Sequence, residues 1–486
     1  MRSKLRRLVA QPLSWLVLAL VLESALLVKG QGDFVASDPL WYADIAHNIS
    51  TGDFQLVFSP TDHHPFVMRV GLTVPLAGLY RLFGVSTLVS NLPAILSGLA
   101  CIVLLFLVAP TRRAKAIALG YGLTSVALLH EANLLNIDLP CAVLLGYSVW
   151  FMQRRDEHRL WLLLAAVTAV AAFLVKETAV WCAPIWLWVV VVDARAIGVR
   201  ETARRFAPAV IAGLVLVAGY LALCDVVWGT PLARLDGIRE LTFEHSWILH
   251  GKPASAWIGR LTWQVPWLLF KMFHAALLPA LAAPWLVRGR DRIWLVAMGT
   301  FLACYWFGSA STTAYTPLPI TERMVLSVLP PVLVLATLAT DEAIRRWGSR
   351  RWLAPVAAVI GLSLIVPAAR TDFQLVRRST PETDAITELR HHLTAGPAVL
   401  VVADPRGTAI TRFYFGLDVQ PSVQLVYLLD YPNLVQPADA HVYVLVNDSR
   451  GHDKQLSARI SAMHLPVLYA AQTIHLYDAG DGASLR

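Results

Sequence analysis

Long apolar stretches recur along the chain, each closed by a short polar or basic turn, and this pattern predicts a series of membrane-spanning helices. Spans are expected at about 12–30, 86–110, 116–132, 138–153, 159–175, 178–194, 207–227, 263–287, 293–311, 323–342 and 352–369. The stretch from about Pro65 to Phe83 is moderately apolar but carries Arg69, Arg81 and Pro75, so an interfacial helix across the outer face is expected there. From Thr371 the pattern changes. Pro381 to Leu393 has the spacing of an amphipathic helix, followed by Gly396-Pro397. Residues 398–402 and 442–446 read as buried strands, with a helix over 408–417 between them. The expected fold class is thus a polytopic α-helical membrane protein of about eleven spans with a C-terminal soluble α/β domain. Its parts are a transmembrane domain over 1–370, with an outer loop over 31–85, and an extracytoplasmic domain over 371–486.

Composition supports the membrane reading: 56% of the 486 residues are hydrophobic and only 15% are charged, against about a quarter in soluble domains. The net charge of +8 does not point to nucleic acid. Its basic residues sit in clusters between spans, at 112–115, 154–155, 195–205, 288–292 and 345–351, all on the side of the N-terminus. That places the N-terminus in the cytoplasm and the C-terminal domain outside, in the periplasm if the cell has one. The first apolar run follows Arg6-Arg7 without a cleavage site, so it is expected to remain as the first helix. The five cysteines form no CxxC, and neither a disulfide framework nor a thiolate metal site is indicated. The few lysines among the basic residues suggest a GC-rich bacterial genome, hence a bacterial inner membrane.

Candidate chemistry concentrates at the outer ends of the spans. Between Gln31 and Met68 there is no Lys or Arg, yet Asp33, Asp38, Asp44, Asp53 and Asp62 are present. Asp38 follows the first helix and precedes Pro39; by spacing alone it reads as a helix cap, a role compatible with catalysis. Glu131 and Asp138 lie in a very short turn between spans, at a depth where an ionisable side chain is a functional candidate. Asp138 as a simple cap is the competing reading. Lys176 and Glu177 occupy another such turn; adjacent on the chain, they are expected to pair elsewhere. Lys176 suits a lipid phosphate, or else it snorkels to the interface. Arg323 opens a later span and offers a planar fork for phosphate oxygens. No cofactor is firmly implied. A divalent cation held by His63 and His64 with Asp38 or Asp44 stays open, with ordinary loop histidines the commoner case.

The order of these residues resembles a known pattern. Asp38-Pro39-Leu40-Trp41-Tyr42-Ala43-Asp44-Ile45-Ala46, then Thr51-Gly52-Asp53-Phe54, His64-Pro65 and Leu82-Phe83-Gly84-Val85-Ser86, are similar to the first outer loop of GT-C glycosyltransferases of the ArnT-like and protein O-mannosyltransferase-like kind. Asp138-Leu139-Pro140, Lys176-Glu177 and Arg323 to Pro331 fall where those families place later elements. Two departures stand out: Asp-Glu is often found where this chain has Asp38-Pro39, and Lys-Pro-Pro where it has His63-His64-Pro65. The resemblance implies a polyprenyl-phosphate sugar donor and a lipid, glycan or protein acceptor such as lipopolysaccharide, with inverting transfer. It implies Asp38 as base and Asp138 as second acid. Lys176, Arg323 and Arg69 are left for the donor phosphate, and Tyr42, Asp44, His64, Glu131 and Glu177 for substrate. The alternative is a transporter or flippase for a lipid-linked or polar substrate. Few midplane charges and no inverted repeat speak against it.

Overall fold

The computed structural model describes residues 11–29, 37–52, 66–244, 258–309, 317–348, 361–367, 384–386, 388–389, 398–402, 423–427, 441–447, 463–471 and 474–481. Its first helices are α1 (Pro12–Lys29), α2 (Ser37–Thr51), α3 (Val70–Phe83), α4 (Thr87–Val108), α5 (Arg112–Leu123), α6 (Val126–Ala132), α7 (Asp138–Gln153) and α8 (Arg159–Val175). There follow α9 (Ala183–Ile197), α10 (Val199–Trp228), α11 (Ala233–Glu244), α12 (Val265–Phe273), α13 (Leu277–Leu286), α14 (Arg292–Phe307) and α15 (Leu329–Trp347). Short 3-10 turns at Glu177–Cys182 and Arg323–Val328 lead into α9 and α15, and a π-turn at Arg260–Gln264 leads into α12.

Six continuous segments among the described residues are long and apolar enough to cross a bilayer: Pro12–Lys29, Thr87–Val108, Glu177–Ile197, Val199–Trp228, Arg260–Leu286 and Arg323–Trp347. The chain is a multi-pass membrane protein. Helices α7 and α8 have the bounds expected from the pattern. The span expected over 116–132 is instead broken into α5 and α6. At the break the Thr124 hydroxyl donates to the Gly120 carbonyl (2.7 Å), and Ser125 Oγ accepts the Leu128 N–H. Such local hydroxyl bonds compete with the helical ladder, which hydrophobicity alone does not register. Of the last expected span, 361–367 is helical and the remainder lies outside the described residues. Helix α3, at 14 residues, is about 21 Å long and shorter than the roughly 30 Å of a hydrocarbon core.

The chain divides into two compact units. The first comprises Met1–Gly30, Phe54–Pro75 and Asn91–Val376; the second comprises Gln31–Asp53, Leu76–Ser90 and Arg377–Arg486. The second unit thus takes in residues 31–53 and 76–90 along with the C-terminal residues.

In the first unit α15 is the core helix, buried continuously from Leu329 to Ala339, whereas little of α10 is buried. The exposed Val210, Ile211, Leu214 and Val215 of α10 make it a lipid-facing surface. A Cβ added at Gly146 of α7 would come within 2.7 Å of Leu104 and 3.0 Å of Pro330, so α7 packs tightly between α4 and α15. One end of this bundle gathers the basic clusters. Arg155 grips Asp193 through both carboxylate oxygens, at 2.6 to 3.0 Å. Arg205 reaches Asp156 (2.7 Å) and Asp193 (3.5 Å), Arg290 also reaches Asp156, and Arg113 pairs with Asp341 (2.5 Å).

In the second unit the C-terminal residues form one sheet of β1 (Ala398–Val402), β2 (Val423–Tyr427), β3 (His441–Asn447), β4 (Val467–Ala471) and β5 (Ile474–Asp481), in the order β2-β1-β3-β5-β4. Strand β1 runs parallel to β2 and β3, and β5 runs antiparallel to β3 and β4. Val399, Leu400, Val442, Val444 and Val446 are buried, as continuous apolar runs in parallel strands require. Ala385, Ile386 and Leu389 of the expected amphipathic helix are buried in helical segments, whereas 408–417 lies outside the described residues.

Candidate active site

Helices α7 and α8 lie side by side, with the Ser148 hydroxyl donating to the Ala165 carbonyl at 2.9 Å. Because α7 starts at Asp138 and α8 ends at Val175, the start of one and the end of the other share the bundle end opposite the arginine cluster. Lys176 there donates to Asp138 Oδ1, and both side chains are only 6% exposed. The same ammonium reaches Met324 Sδ at 3.3 Å. The N-cap of α7 is Ile137, and no side chain caps it. Asn136 Oδ1 takes the Leu139 N–H, so the Asp138 carboxylate is turned toward the lysine instead of capping. Lys176 is buried and paired, and does not snorkel.

Glu177 makes the second pairing, as adjacent charges on one turn require. Lys176 is in an extended conformation (φ −149°, ψ 138°) between α8 and the 3-10 turn, so successive side chains diverge. The Glu177 carboxylate accepts from Arg69 Nη2 at 2.9 Å and Nε at 3.4 Å, and from Arg234 Nη2 at 3.1 Å. Both arginines are buried, Arg69 over the Phe66 ring and Arg234 over Phe173. Arg234 also donates to the Phe173 carbonyl at 2.8 Å. Glycine at position 71 allows this approach, since a Cβ there would lie 2.7 Å from backbone atoms of Leu174 and Val175.

Glu131, in the turn between α6 and α7, is buried and is held by Asn136 Nδ2 at 3.1 Å, with the half-exposed His130 ring 3.3 Å away. Arg323 opens the 3-10 turn that brings the neighbouring Met324 to Lys176. Of the loop residues, Asp38, Tyr42 and Asp44 lie on α2 in the second unit, Asp38 in its first turn and partly exposed, Tyr42 and Asp44 buried. In that unit Arg81 Nε donates to the Ser50 carbonyl at 2.6 Å, tying the end of α3 to the end of α2. His63 and His64 lie outside the described residues. Among those described, no group of three or more His, Cys, Asp or Glu side chains converges as metal ligands would.

Two residues of this end escaped sequence reasoning, Arg234 and Arg260. Arg260 is 2% exposed and donates to the carbonyls of Leu318 (2.7 Å), Tyr305 (2.9 Å) and Trp306 (3.3 Å), tying the π-turn to the end of α14 and to the segment before Arg323. Both arginines follow a long apolar helix or an aromatic stretch at a level where the basic clusters are otherwise absent. That isolation was the available signal.

No family model matches the chain, and no curated protein sequence matches it. Solved structures do. ArnT from Cupriavidus metallidurans in the apo state is similar with a TM-score of 0.66 at 15% identity, over 95% of this chain and 97% of that one. The same protein bound to undecaprenyl phosphate gives 0.64 at 16% identity, with the same coverage. The archaeal oligosaccharyltransferase AglB from Archaeoglobus fulgidus, in complex with an inhibitory peptide and a dolichol-phosphate, gives 0.50 at 13% identity, over 89% of this chain and 69% of that one. The fold of this chain, through nearly its whole length, is the GT-C fold of ArnT.

Proposed function

We propose that the chain is an integral membrane glycosyltransferase. It moves a sugar from a polyprenyl-phosphate donor to a lipid, glycan or protein acceptor at the outer face of a bacterial inner membrane. The observation that carries this reading is a GT-C fold with a buried lysine–aspartate pair at one end of its bundle. Similar structures bound to undecaprenyl phosphate and to a dolichol-phosphate support a lipid-phosphate donor.

In the proposed reaction Asp38 takes the proton of the acceptor hydroxyl as the oxygen forms its bond to the anomeric carbon. The bond from that carbon to the phosphate oxygen breaks, and the electron pair leaves with polyprenyl phosphate, inverting the centre. Lys176, Arg323 and Arg69 stabilise the departing charge, and Asp138 orients the acceptor. Tyr42, Asp44, His64, Glu131 and Glu177 complete the substrate site. The arginine-rich bundle end faces the cytoplasm and the residues after Thr371 lie outside, in keeping with the basic clusters.

Incubating the purified chain with a lipid-linked sugar and measuring released polyprenyl monophosphate tests the reading. Asp38→Asn keeps size and capping capacity but removes basicity. Transfer should fall on the order of 10²-fold with thermal stability retained, while Asp53→Asn should leave it unchanged. A fully active Asp38→Asn chain rejects Asp38 as the base; a wild-type chain that releases no polyprenyl phosphate from any lipid-linked sugar rejects the glycosyltransferase reading.

A further inference from the structure

We propose that Asp138 and the donor phosphate compete for the Lys176 ammonium, so that donor entry exchanges the lysine from carboxylate to phosphate and releases Asp138 for the acceptor. This rests on the glycosyltransferase reading and adds an order of events to it: donor first, acceptor second.

The basis is the unequal satisfaction of neighbouring cations. Glu177 receives three N–H groups from Arg69 and Arg234, and Arg234 also donates to the Phe173 carbonyl, so each guanidinium already holds strong oxygen acceptors, with Arg234 Nε alone left over among the described residues. Lys176 differs. Its ammonium has three donors; one is on Asp138, and one points at the Met324 thioether, a weak acceptor. The third has no acceptor among the described residues. A buried ammonium with spare donors and a sulfur neighbour is suited to a further oxygen anion.

The exchange is also inexpensive. A buried pair roughly breaks even between desolvation and attraction, so replacing one anion by another costs little, whereas leaving the lysine with none costs much. The Lys176 backbone is fixed, with its N–H on the Ala172 carbonyl at 2.8 Å and Glu177 anchored beside it. Only the four-carbon stem has to move, past a methionine whose side chain adapts readily. In the resting chain Asp138 therefore holds the cation, and an acceptor hydroxyl meets an Asp138 already occupied. Phosphate on Lys176 frees the carboxylate at the moment the donor is in position.

The test is binding of undecaprenyl phosphate to the full chain in detergent, with undecaprenol as the control lacking phosphate. Asp138→Asn removes the competitor and should tighten undecaprenyl phosphate binding about tenfold, as expected when the competent state is populated about one time in ten. Lys176→Gln should weaken it by a similar factor, and Asp138→Asn with Lys176→Gln should bind like Lys176→Gln alone. Undecaprenol binding should not respond to any of them. If Asp138→Asn binds undecaprenyl phosphate no tighter than wild type, the exchange is overturned. If wild type binds undecaprenyl phosphate no better than undecaprenol, the donor assignment itself fails. Should Asp138→Asn not fold, carbodiimide labelling of the wild-type Asp138 carboxylate decides the matter. Saturating undecaprenyl phosphate should raise labelling by at least threefold or so, as the unpaired fraction grows, and unchanged or reduced labelling overturns the proposal.

Discussion

Replacing Glu177 by glutamine should destabilise the chain more than removing either arginine that grips it. Among the described residues Glu177 is the anion that both Arg69 and Arg234 reach, and their side chains are 9% and 5% exposed. Glutamine is nearly isosteric, so the perturbation is chiefly the loss of one negative charge facing two buried positive ones. Orphaning one partner of a buried pair costs about 3–5 kcal/mol. The carboxylate itself is 27% exposed, so water screens part of the interaction and the lower end, about 3 kcal/mol, is expected. Arg69→Met or Arg234→Met leaves Glu177 one guanidinium, and each should cost about 1–2 kcal/mol. The triple variant with methionine at all three positions should recover most of the Glu177→Gln loss, because an apolar replacement carries no buried charge. Thermal unfolding in one detergent, followed by size-exclusion chromatography, gives the ranking. A Glu177→Gln melting temperature no lower than those of the single arginine variants would refute the charge-count argument.

Two further outcomes follow from local geometry. Gly71→Ala sets a Cβ against backbone atoms at 2.7 Å, which cannot rotate away, so α3 must shift from α8 at a cost of about 1–3 kcal/mol, read as a lowered melting temperature. Burial holds the Asp291 carboxyl above its ordinary 3.8, opposed by the Gln153 hydrogen bond. The folded chain therefore binds that proton more tightly than the unfolded one, and its contribution to stability is lost as pH rises from about 3.8 through the folded value. Asp291→Asn should flatten that part of the stability–pH curve, and an unchanged slope would count against the assignment.

How far the sequence reveals this molecule depends on the kind of signal. The bounds of α7 and α8 could be read from the chain because polar residues (Asp138, Arg154, Arg159 and Lys176) mark both ends of each apolar run. Strand β1 was equally legible as a short β-branched run after Gly396-Pro397. The break between α5 and α6 was not, since Thr124 and Ser125 act by local hydrogen bonds within a stretch that stays apolar on average. Lys176 and Glu177 could be singled out by depth, but their partners could not: Asp138 is 38 positions away and Arg69 is 108 from Glu177. Arg234 and Arg260 went unnoticed because the acid that Arg234 meets, Glu177, is 57 positions away, and the carbonyls of Tyr305, Trp306 and Leu318 that receive Arg260 leave no mark in the sequence. The resemblance to GT-C enzymes rested on short motifs, and structural neighbours at 13 to 16% identity show the fold while whole-chain sequence matching finds nothing.

The single extended residue at Lys176 has a consequence for how this turn can change over time. Lys176 and Glu177 face different partners because one extended residue, and no more, separates the end of α8 from the 3-10 turn. Substitutions at Thr178 or Val180 keep that phase. One residue inserted after Lys176 would change the side on which Glu177 leaves the turn and take it off Arg69 and Arg234. Selection on this turn should therefore act on length before it acts on composition. Gaps should be absent here even among relatives whose residues have otherwise diverged.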